Sequence, residues 1–147
     1  MIDDTQLNLP DVLAEVEAVF ERYERALVSN DVAVLDELFW NHPMTLRFGA
    51  TENLWSYDEI AAFRASRPSV GLQRRIVKKV IQTFGRNFAT ASVQFEREGR
   101  PNWVGRQQQT WVRTAAGWRK SWPGPSRAGS AAAAFRPAAA PLRRAIS

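Results

Sequence analysis

Residues 40–49 read WNHPMTLRFG, a short alternating segment that follows a long amphipathic stretch. The alternation predicts a short strand with two different faces. One face would carry Met44, Leu46 and Phe48, and the other would carry Thr45, Arg47 and Gly49. Arg47 would therefore point away from the large apolar side chains of its own strand, either toward a pocket or, with its aliphatic stem packed, toward solvent.

An amphipathic helix of about five turns is predicted before this segment, because Pro10 suits a first helical turn and apolar residues then recur at helical spacing. The apolar stripe consists of Val12, Val16, Val19, Phe20, Tyr23 and Leu27. Its single hydroxyl group belongs to Tyr23. If Tyr23 faces the core and Arg47 points inward, the two side chains meet in one cavity as an acid and an anion clamp. The pattern offers no obvious carboxylate or histidine base.

Composition limits the chemistry that this chain can perform. Its 147 residues suffice for one domain with a single sizeable core. The absence of cysteine excludes disulfides, thiolate catalysis and cysteine zinc sites. Because His42 is the single histidine, histidine metal sites and Ser-His-Asp catalysis are nearly excluded as well. We therefore expect neither a metal nor another cofactor.

The cellular location is predicted from the N-terminus and from the lengths of the apolar runs. Residues 1–11 read MIDDTQLNLPD, which is acidic rather than typical of a signal peptide. No apolar run approaches the length that spans a bilayer. We expect a cytoplasmic protein without a membrane partner.

The net charge of +5 is concentrated in the C-terminal tail. Residues 123–147 contain four arginines and no acidic residue, which leaves 16 basic against 15 acidic residues in 1–122. The only dense basic run of the body is Arg74, Arg75, Lys78 and Lys79, and it is interleaved with apolar residues. This run is typical of paired charges on a solvated strand, so we expect no nucleic-acid partner.

The order of predicted elements indicates an α+β fold. Asp31 is a candidate N-cap of a second, short helix, and Ser56 with Glu59 has the form of a capping box that opens a third helix, which Pro68 ends. From residue 72 the period changes to two, with strands predicted at 72–84, 88–96, 102–113 and from Trp118. A curved antiparallel sheet wrapped around the N-terminal helices would form a cone with an apolar pocket at its mouth.

Three motifs resemble a known group of proteins: HPMTLRFG, FRASRP at the end of the third predicted helix, and GRQQQTWVR followed by GWR. Over about residues 5–119 the chain resembles the nuclear transport factor 2-like (SnoaL-like) superfamily, and within it the oxalurate-catabolism, HpxZ-type family. That family includes a small decarboxylating amidohydrolase of the cyanuric-acid pathway. The resemblance implies a cofactor-free reaction that converts 1,3-dicarboxyurea into allophanate. It also implies that Tyr23 and Arg47 are the essential pair, and we expect a homodimer.

The C-terminus departs from this resemblance. Family members continue after GWR with an apolar strand that carries a histidine and ends in a serine, whereas here Arg119 is followed by KSWPGPSRAGS. Pro123 would stop a central strand. We therefore assign residues 1–122 to a single cone domain and 123–147, rich in alanine, proline and arginine, to a disordered tail. Such a tail is what a shifted reading frame produces in a GC-rich gene, and a frameshift is our hypothesis.

Other residues are candidates for binding substrate. Arg67, at the predicted end of the third helix, could complement the helix dipole or bind a second substrate carboxylate. On the strand at 102–113, Arg106, Gln108 and Thr110 share one face, and Gln107, Gln109 and Trp111 share the other. The pattern alone does not choose which face lines the cone; we take Arg106 and Gln108 as substrate-binding candidates. His42, before Pro43, is expected to make a structural hydrogen bond.

Three functions remain open at this stage. The first is a decarboxylating amidohydrolase for a small N-carboxylated urea. The second is a catalytically silent pocket or dimerisation module of a ureide or s-triazine pathway. The third, an isomerase or dehydratase, requires a base in the pocket, and the inward strands offer only Glu96 and Glu98 near a turn.

Overall fold

A computed structural model describes residues 1–121 and the backbone of 122 and 125–127. The helices are a short 3-10 turn at Asp4–Gln6, α1 at Pro10–Ser29, α2 at Val32–Leu38 and α3 at Tyr57–Ser66. The strands are β1 Arg47–Phe48, β2 Asn53–Leu54, β3 Arg75–Phe84, β4 Phe88–Glu96, β5 Gly105–Thr114, β6 Gly117–Trp122 and β7 Pro125–Arg127. The predicted α+β class, with helices first and an antiparallel sheet after them, is confirmed.

The helix ends follow the capping signals, with one change. Pro10 occupies the first turn of α1, and the side chain of Asp31 accepts a hydrogen bond from the backbone N–H of Val34. Ser56 caps α3 by accepting from the Glu59 N–H at 3.2 Å. The Glu59 carboxylate accepts from the N–H of Trp55 instead of Ser56, so only half of the predicted capping box forms.

The main sheet has the order β3-β4-β5-β6, with all neighbours antiparallel. The β3–β4 turn contains Gly85 at φ +63°, a left-handed backbone conformation that glycine adopts without strain. β7 pairs with β5 beyond the end of β6. The pair β1–β2 forms a separate two-stranded hairpin in front of α3.

The core lies between α1 and one face of this sheet. Its largest fully buried side chains are those of Trp111, Phe20, Phe95, Lys120, Leu35 and Leu38. The alternate residues of the strands face away from α1, so that Val77, Val80 and Phe88 stay partly exposed. We call the face that packs on α1 the inner face and the opposite one the outer face.

Gly105 begins β5 at a place where there is no room for a side chain. A Cβ atom there would lie 2.3 Å from the ring of Phe95, its cross-strand neighbour. The Phe95 ring is fully buried and lies under the guanidinium of Arg74, whose carbon is 4.4 Å from the ring centroid. A second guanidinium, that of Arg97, lies 5.4 Å from the same centroid.

The predicted strand at residues 44–48 is shorter than expected. Only Arg47 and Phe48 pair as a strand, while Met44 is 70% exposed and Thr45 is fully buried. The preceding residues instead run beside β6, where the Trp40 N–H donates to the Lys120 carbonyl and the Leu46 N–H donates to the Ser121 carbonyl. This segment therefore fixes the position of β6.

Sheet pairing continues past the predicted domain boundary at residue 122. Pro125–Arg127 pairs with Gly105–Gln107 of β5, so three residues assigned from sequence to a disordered tail lie in a strand. The rest of the predicted tail lies outside the described residues, and the tail and frameshift hypotheses stay predictions there.

Candidate functional site

Tyr23 packs against the inner face of the sheet. It lies on α1 and is 3% exposed, as the apolar stripe predicts. The ring packs edge-on against Trp111, with centroids 6.0 Å apart, and against Phe39 at 6.2 Å. Its hydroxyl accepts a hydrogen bond of 2.8 Å from the Nζ of Lys120 on β6.

Lys120 was missed by the sequence analysis, which treated residues after Arg119 as the start of an aberrant end. The side chain is 1% exposed, and its ammonium lies over the rings of Tyr23 and Phe39, 4.0 and 5.0 Å from their centroids. A signal for it was present. Trp118 and Lys120 share one face of a strand, and a tryptophan is a strong indicator of the buried face.

Arg47 is mostly buried and is held by Glu52, which comes directly before β2. Its Nη1 donates to Glu52 Oε1 at 2.5 Å, and the two side chains are 16% and 19% exposed. The guanidinium also lies over the ring of Phe63, 5.1 Å from its centroid. Gly49 is required for this arrangement, because a Cβ there would lie 1.7 Å from Glu52 Oε1.

Arg67 lies at the C-cap of α3 and turns toward the same region. Its Nη2 donates to Asn30 Oδ1 at 3.2 Å, and its buried Nε has no partner among the described residues. Burial lowers the pKa of Arg67, and the charge of Arg47 lowers it further, whereas Tyr23 and Glu52 oppose that shift. Arg67 is therefore within electrostatic reach of the predicted pair and carries an unused buried donor.

A hydrogen-bonded chain runs from α1 across the inner face of β5. Glu24 receives two hydrogen bonds from Arg74, of 2.5 and 2.7 Å. The Oε1 of Gln107 accepts from Arg74 Nη2 at 2.9 Å and from Gln109 Nε2 at 3.0 Å. Gln109 Oε1 in turn accepts from the indole N–H of Trp111 at 3.0 Å. These bonds fix both amides in one orientation, with their oxygen atoms used.

Burial and the neighbouring charges shift the pKa of both Tyr23 and Lys120. Burial alone would raise the pKa of Tyr23, but the charges of Lys120, Arg74 and Arg47, with the Lys120 hydrogen bond, lower it to about 8. Burial lowers the pKa of Lys120 to about 8, opposed by Tyr23 and reinforced by the two arginines. The pair can therefore lose a proton close to neutral pH, which is unusual for either group alone.

We call Tyr23, Arg47, Arg67, Arg74 and Lys120 the central cluster. Two of its four cationic side chains, Arg74 and Arg47, pair among the described residues with carboxylates, those of Glu24 and Glu52. The sequence analysis found neither acid. Each accepts from an arginine, and Arg47 holds the pKa of Glu52 below its usual value although burial would raise it. The cluster thus has an excess of two positive charges, a surrounding that favours a dianion.

Two of the predicted substrate-binding residues are not part of the cluster. Arg106 and Gln108 are exposed on the outer face of β5, whereas Gln107 and Gln109 are buried on the inner face. The choice of Arg106 and Gln108 was wrong in placement, because Trp111 fixes which residues of this strand turn inward. Glu96 pairs with Arg75 at the surface and Glu98 is exposed, so neither is a base beside Tyr23.

His42 has the structural role that was predicted. Its Nδ1 accepts from the Met44 N–H at 3.0 Å, and its ring stacks on Trp40 at 4.3 Å. Among the described residues, no group of three or more His, Cys, Asp or Glu side chains could hold a metal ion. No helix in that part of the chain has the length and apolar character needed to cross a bilayer.

Comparison of the fold defines the class of protein. A nuclear transport factor 2-like superfamily protein from Salmonella enterica matches with a TM-score of 0.65 at 18% identity, over 86% of this chain and 97% of that one. The chain therefore has the nuclear transport factor 2-like fold that its motifs indicated.

A family model assigns the chain to a narrower group than the fold does. The family model described as AtzH-like matches residues 5–121, and the chain belongs to that family. A protein of unknown function from Pectobacterium atrosepticum is 48% identical, with a TM-score of 0.84, and the match covers 88% of this chain and 100% of that one. A cystatin-like fold protein from Burkholderia xenovorans is 40% identical over 81% and 92% of the two chains, with a TM-score of 0.74. No protein with a curated description matches the chain.

Proposed function

We propose that this protein is a cofactor-free decarboxylating amidohydrolase that converts 1,3-dicarboxyurea, or a closely similar N-carboxylated urea, into allophanate. The observation that carries the proposal is the central cluster: a buried phenol surrounded by more cations than carboxylates. Membership in the AtzH-like family supports a role in the same catabolism. The substrate carries two carboxylates, which matches the excess of two positive charges.

Arg47 binds the carboxylate that is lost. A guanidinium presents a planar fork that matches a carboxylate, which lysine does not. Among the described residues Glu52 accepts from Nη1 of Arg47, so other nitrogens of the fork remain for the ligand. Holding the carboxylate out of the urea plane weakens the bond between its carbon and the urea nitrogen.

Tyr23 supplies the proton. Its hydroxyl protonates the urea nitrogen as the bond between nitrogen and the carboxylate carbon breaks. The bonding electrons stay on nitrogen, and the carboxylate leaves as CO₂. The phenolate that forms lies among Lys120, Arg74 and Arg47, and solvent returns its proton.

Arg67 is positioned to bind the second carboxylate. Its buried Nε has no partner among the described residues, and an unpaired buried donor is costly unless a ligand satisfies it. A neutral urea would gain nothing from this group. We therefore expect the protein to prefer a dicarboxylated over a monocarboxylated urea as its substrate.

The test is turnover by the purified protein. We expect CO₂ release and allophanate formation from 1,3-dicarboxyurea. Tyr23→Phe should lower kcat by roughly 10²–10⁴-fold with little change in KM, since the proton donor is removed while the arginines that bind the carboxylates remain. Tyr57→Phe is the matched control, because Tyr57 donates to the Asp36 carbonyl away from the cluster. Binding of the substrate without turnover by the wild type would favour the alternative, a non-catalytic pocket module. The expected homodimer also stays a prediction, to be checked by sedimentation.

A further inference from the structure

Lys120 supplies one of the charges around the phenolate in the proposed reaction, and it occupies the most protected position in the cluster. Its ammonium is buried, and no carboxylate pairs with it among the described residues. A buried ammonium is costly in free energy unless hydrogen bonds or opposite charge compensate it. Its one hydrogen bond in this part of the chain goes to the hydroxyl of Tyr23, so the two groups depend on each other.

We propose that Lys120 is the positioning residue that makes Tyr23 an acid at neutral pH: through its hydrogen bond it orients the phenol and holds the phenolate that remains after proton transfer. This inference rests on the proposed function for its catalytic consequence. The pairing itself stands on the 2.8 Å contact and on the burial of both side chains.

The charges around the pair make the phenol of Tyr23 a stronger acid. Arg47 faces it from β1, Arg67 from the end of α3 and Arg74 from the residue before β3. The carboxylates nearest to these groups, Glu24 and Glu52, are engaged by Arg74 and Arg47. An excess of positive charge stabilises a phenolate, so Tyr23 gives up its proton more readily than an ordinary tyrosine. Below its pKa of about 8, Tyr23 carries the proton that it donates while its oxygen accepts the hydrogen bond from Lys120.

For the reaction, the consequence is that a positive charge already faces the oxygen of the proton donor, Tyr23. When Tyr23 transfers its proton to the urea nitrogen, negative charge appears on its oxygen at the place where the Lys120 ammonium already lies. The charge is stabilised without rearrangement of the site. Lys120 contacts neither the substrate nor the breaking bond, so its effect is on kcat and on pH dependence.

The chain contains two tyrosines, Tyr23 and Tyr57, which makes the pairing measurable without substrate. Burial and the charge of Asp36 raise the pKa of Tyr57, so the two phenols titrate separately. In Tyr57→Phe, tyrosinate absorbance should appear with a midpoint near pH 8. Adding Lys120→Met should move that midpoint to higher pH, because the charge and the hydrogen bond of Lys120 then no longer oppose the effect of burial.

Lys78→Met is the matched control, since Lys78 is an exposed lysine on the outer side of β3. It should leave the midpoint of Tyr23 unchanged. A Tyr23 midpoint near 10 in the Tyr57→Phe protein would overturn the inference, and so would a midpoint that Lys120→Met does not move. The first of these results requires no Lys120 variant, so the inference stays testable even if that variant folds poorly.

The kinetic arm separates this inference from the proposed function. With 1,3-dicarboxyurea, Lys120→Met should lower kcat at pH 7 by roughly tenfold, a fraction of the 10²–10⁴ that a general acid contributes, with KM nearly unchanged. The alkaline limb of the kcat profile should move to higher pH. A shifted tyrosinate titration in a protein that turns over no substrate would support the pairing and reject the proposed function. Normal turnover with an unshifted limb would do the reverse.

Discussion

The two faces of β5 place the same kinds of side chain in opposite environments. Gln107 and Gln109 are buried and tied into a chain that reaches from Glu24 to Trp111. Arg106 and Gln108, one position away, are exposed on the outer face. The difference shows that residue type does not determine the role of a polar side chain in this sheet. Its neighbours across the strands and on α1 do.

The same contrast appears where the chain enters β3. Arg74 and Arg75 are adjacent, but their side chains are 2% and 73% exposed. Arg74, a member of the central cluster, binds Glu24 and Gln107, whereas Arg75 pairs with Glu96 at the surface. Pairs of substitutions on the two faces can therefore measure how much each environment contributes.

The largest difference in stability is expected between these two arginines. Arg74→Met leaves a mostly buried carboxylate and Gln107 Oε1 without their donor, and we expect a loss of about 3–5 kcal/mol in the free energy of unfolding. Arg75→Met removes an exposed pair and should cost less than about 1 kcal/mol. Denaturant unfolding of both variants measures the difference. Equal losses would mean that the Arg74 chain contributes no more than a surface contact.

In activity, the contrast is sharpest between Arg47 and Arg106. Arg47→Lys keeps the charge but loses the planar fork, and we expect kcat/KM for dicarboxyurea to fall roughly 100-fold, of the order seen when one transition-state hydrogen-bond donor is removed. Arg106→Lys, on the outer face, should retain wild-type kinetics. If the Arg106 variant lost as much as the Arg47 variant, the assignment of the inner face to substrate would be wrong.

A smaller difference is expected between neighbouring glutamines. Gln107→Leu leaves donors of Arg74 and Gln109 unpaired and should cost about 1–3 kcal/mol. Gln108→Leu, exposed on the outer face, should change stability by less than about 0.5 kcal/mol. Thermal or denaturant unfolding compares the two. A neutral Gln107→Leu would show that the hydrogen-bonded chain can be replaced by apolar packing.

The smallest expected change, taken per pH unit, is in the pH dependence of stability. The pKa of Tyr23 and that of Lys120 are both lowered to about 8 in the folded protein, so the unfolded chain binds more protons between about pH 8 and 10. Stability should therefore rise with pH across that window, by about 1 kcal/mol per pH unit if the pair releases one proton. Unfolding at several pH values tests this, and Lys120→Met should flatten the profile. A fall in stability over the same window would contradict the pairing.

Much of the scaffold was predictable because its signals are local. The helical spacing from Val12 to Leu27 correctly predicted that Tyr23 is buried. Asp31 and Ser56 correctly predicted where α2 and α3 begin. The alternation at 44–48 correctly separated the buried Thr45 and the mostly buried Arg47 from the exposed Met44. These features depend on a few neighbouring residues and on fixed backbone geometry.

The features that the sequence did not predict depend mainly on contacts between residues that are far apart in the chain. The polar residues of β5 alternate without a hydrophobic difference strong enough to choose a face, apart from Trp111. Glu24 lies 50 positions from Arg74 in the sequence, whereas Glu52 lies five positions from Arg47 but across the turn between β1 and β2. Lys120 lies opposite Tyr23 across 97 positions of sequence. No local pattern reports such a pairing.

The glycine that opens the GRQQQ segment has a consequence for how this family can vary. Phe95 occupies the space above Gly105 and supports the guanidinium of Arg74 from below. A larger residue at 105 would push that ring toward Arg74, which ties Glu24 to Gln107. The two positions are therefore expected to covary among related sequences. A bulky ring at 95 would occur with glycine at 105, and a side chain at 105 only with a smaller residue at 95.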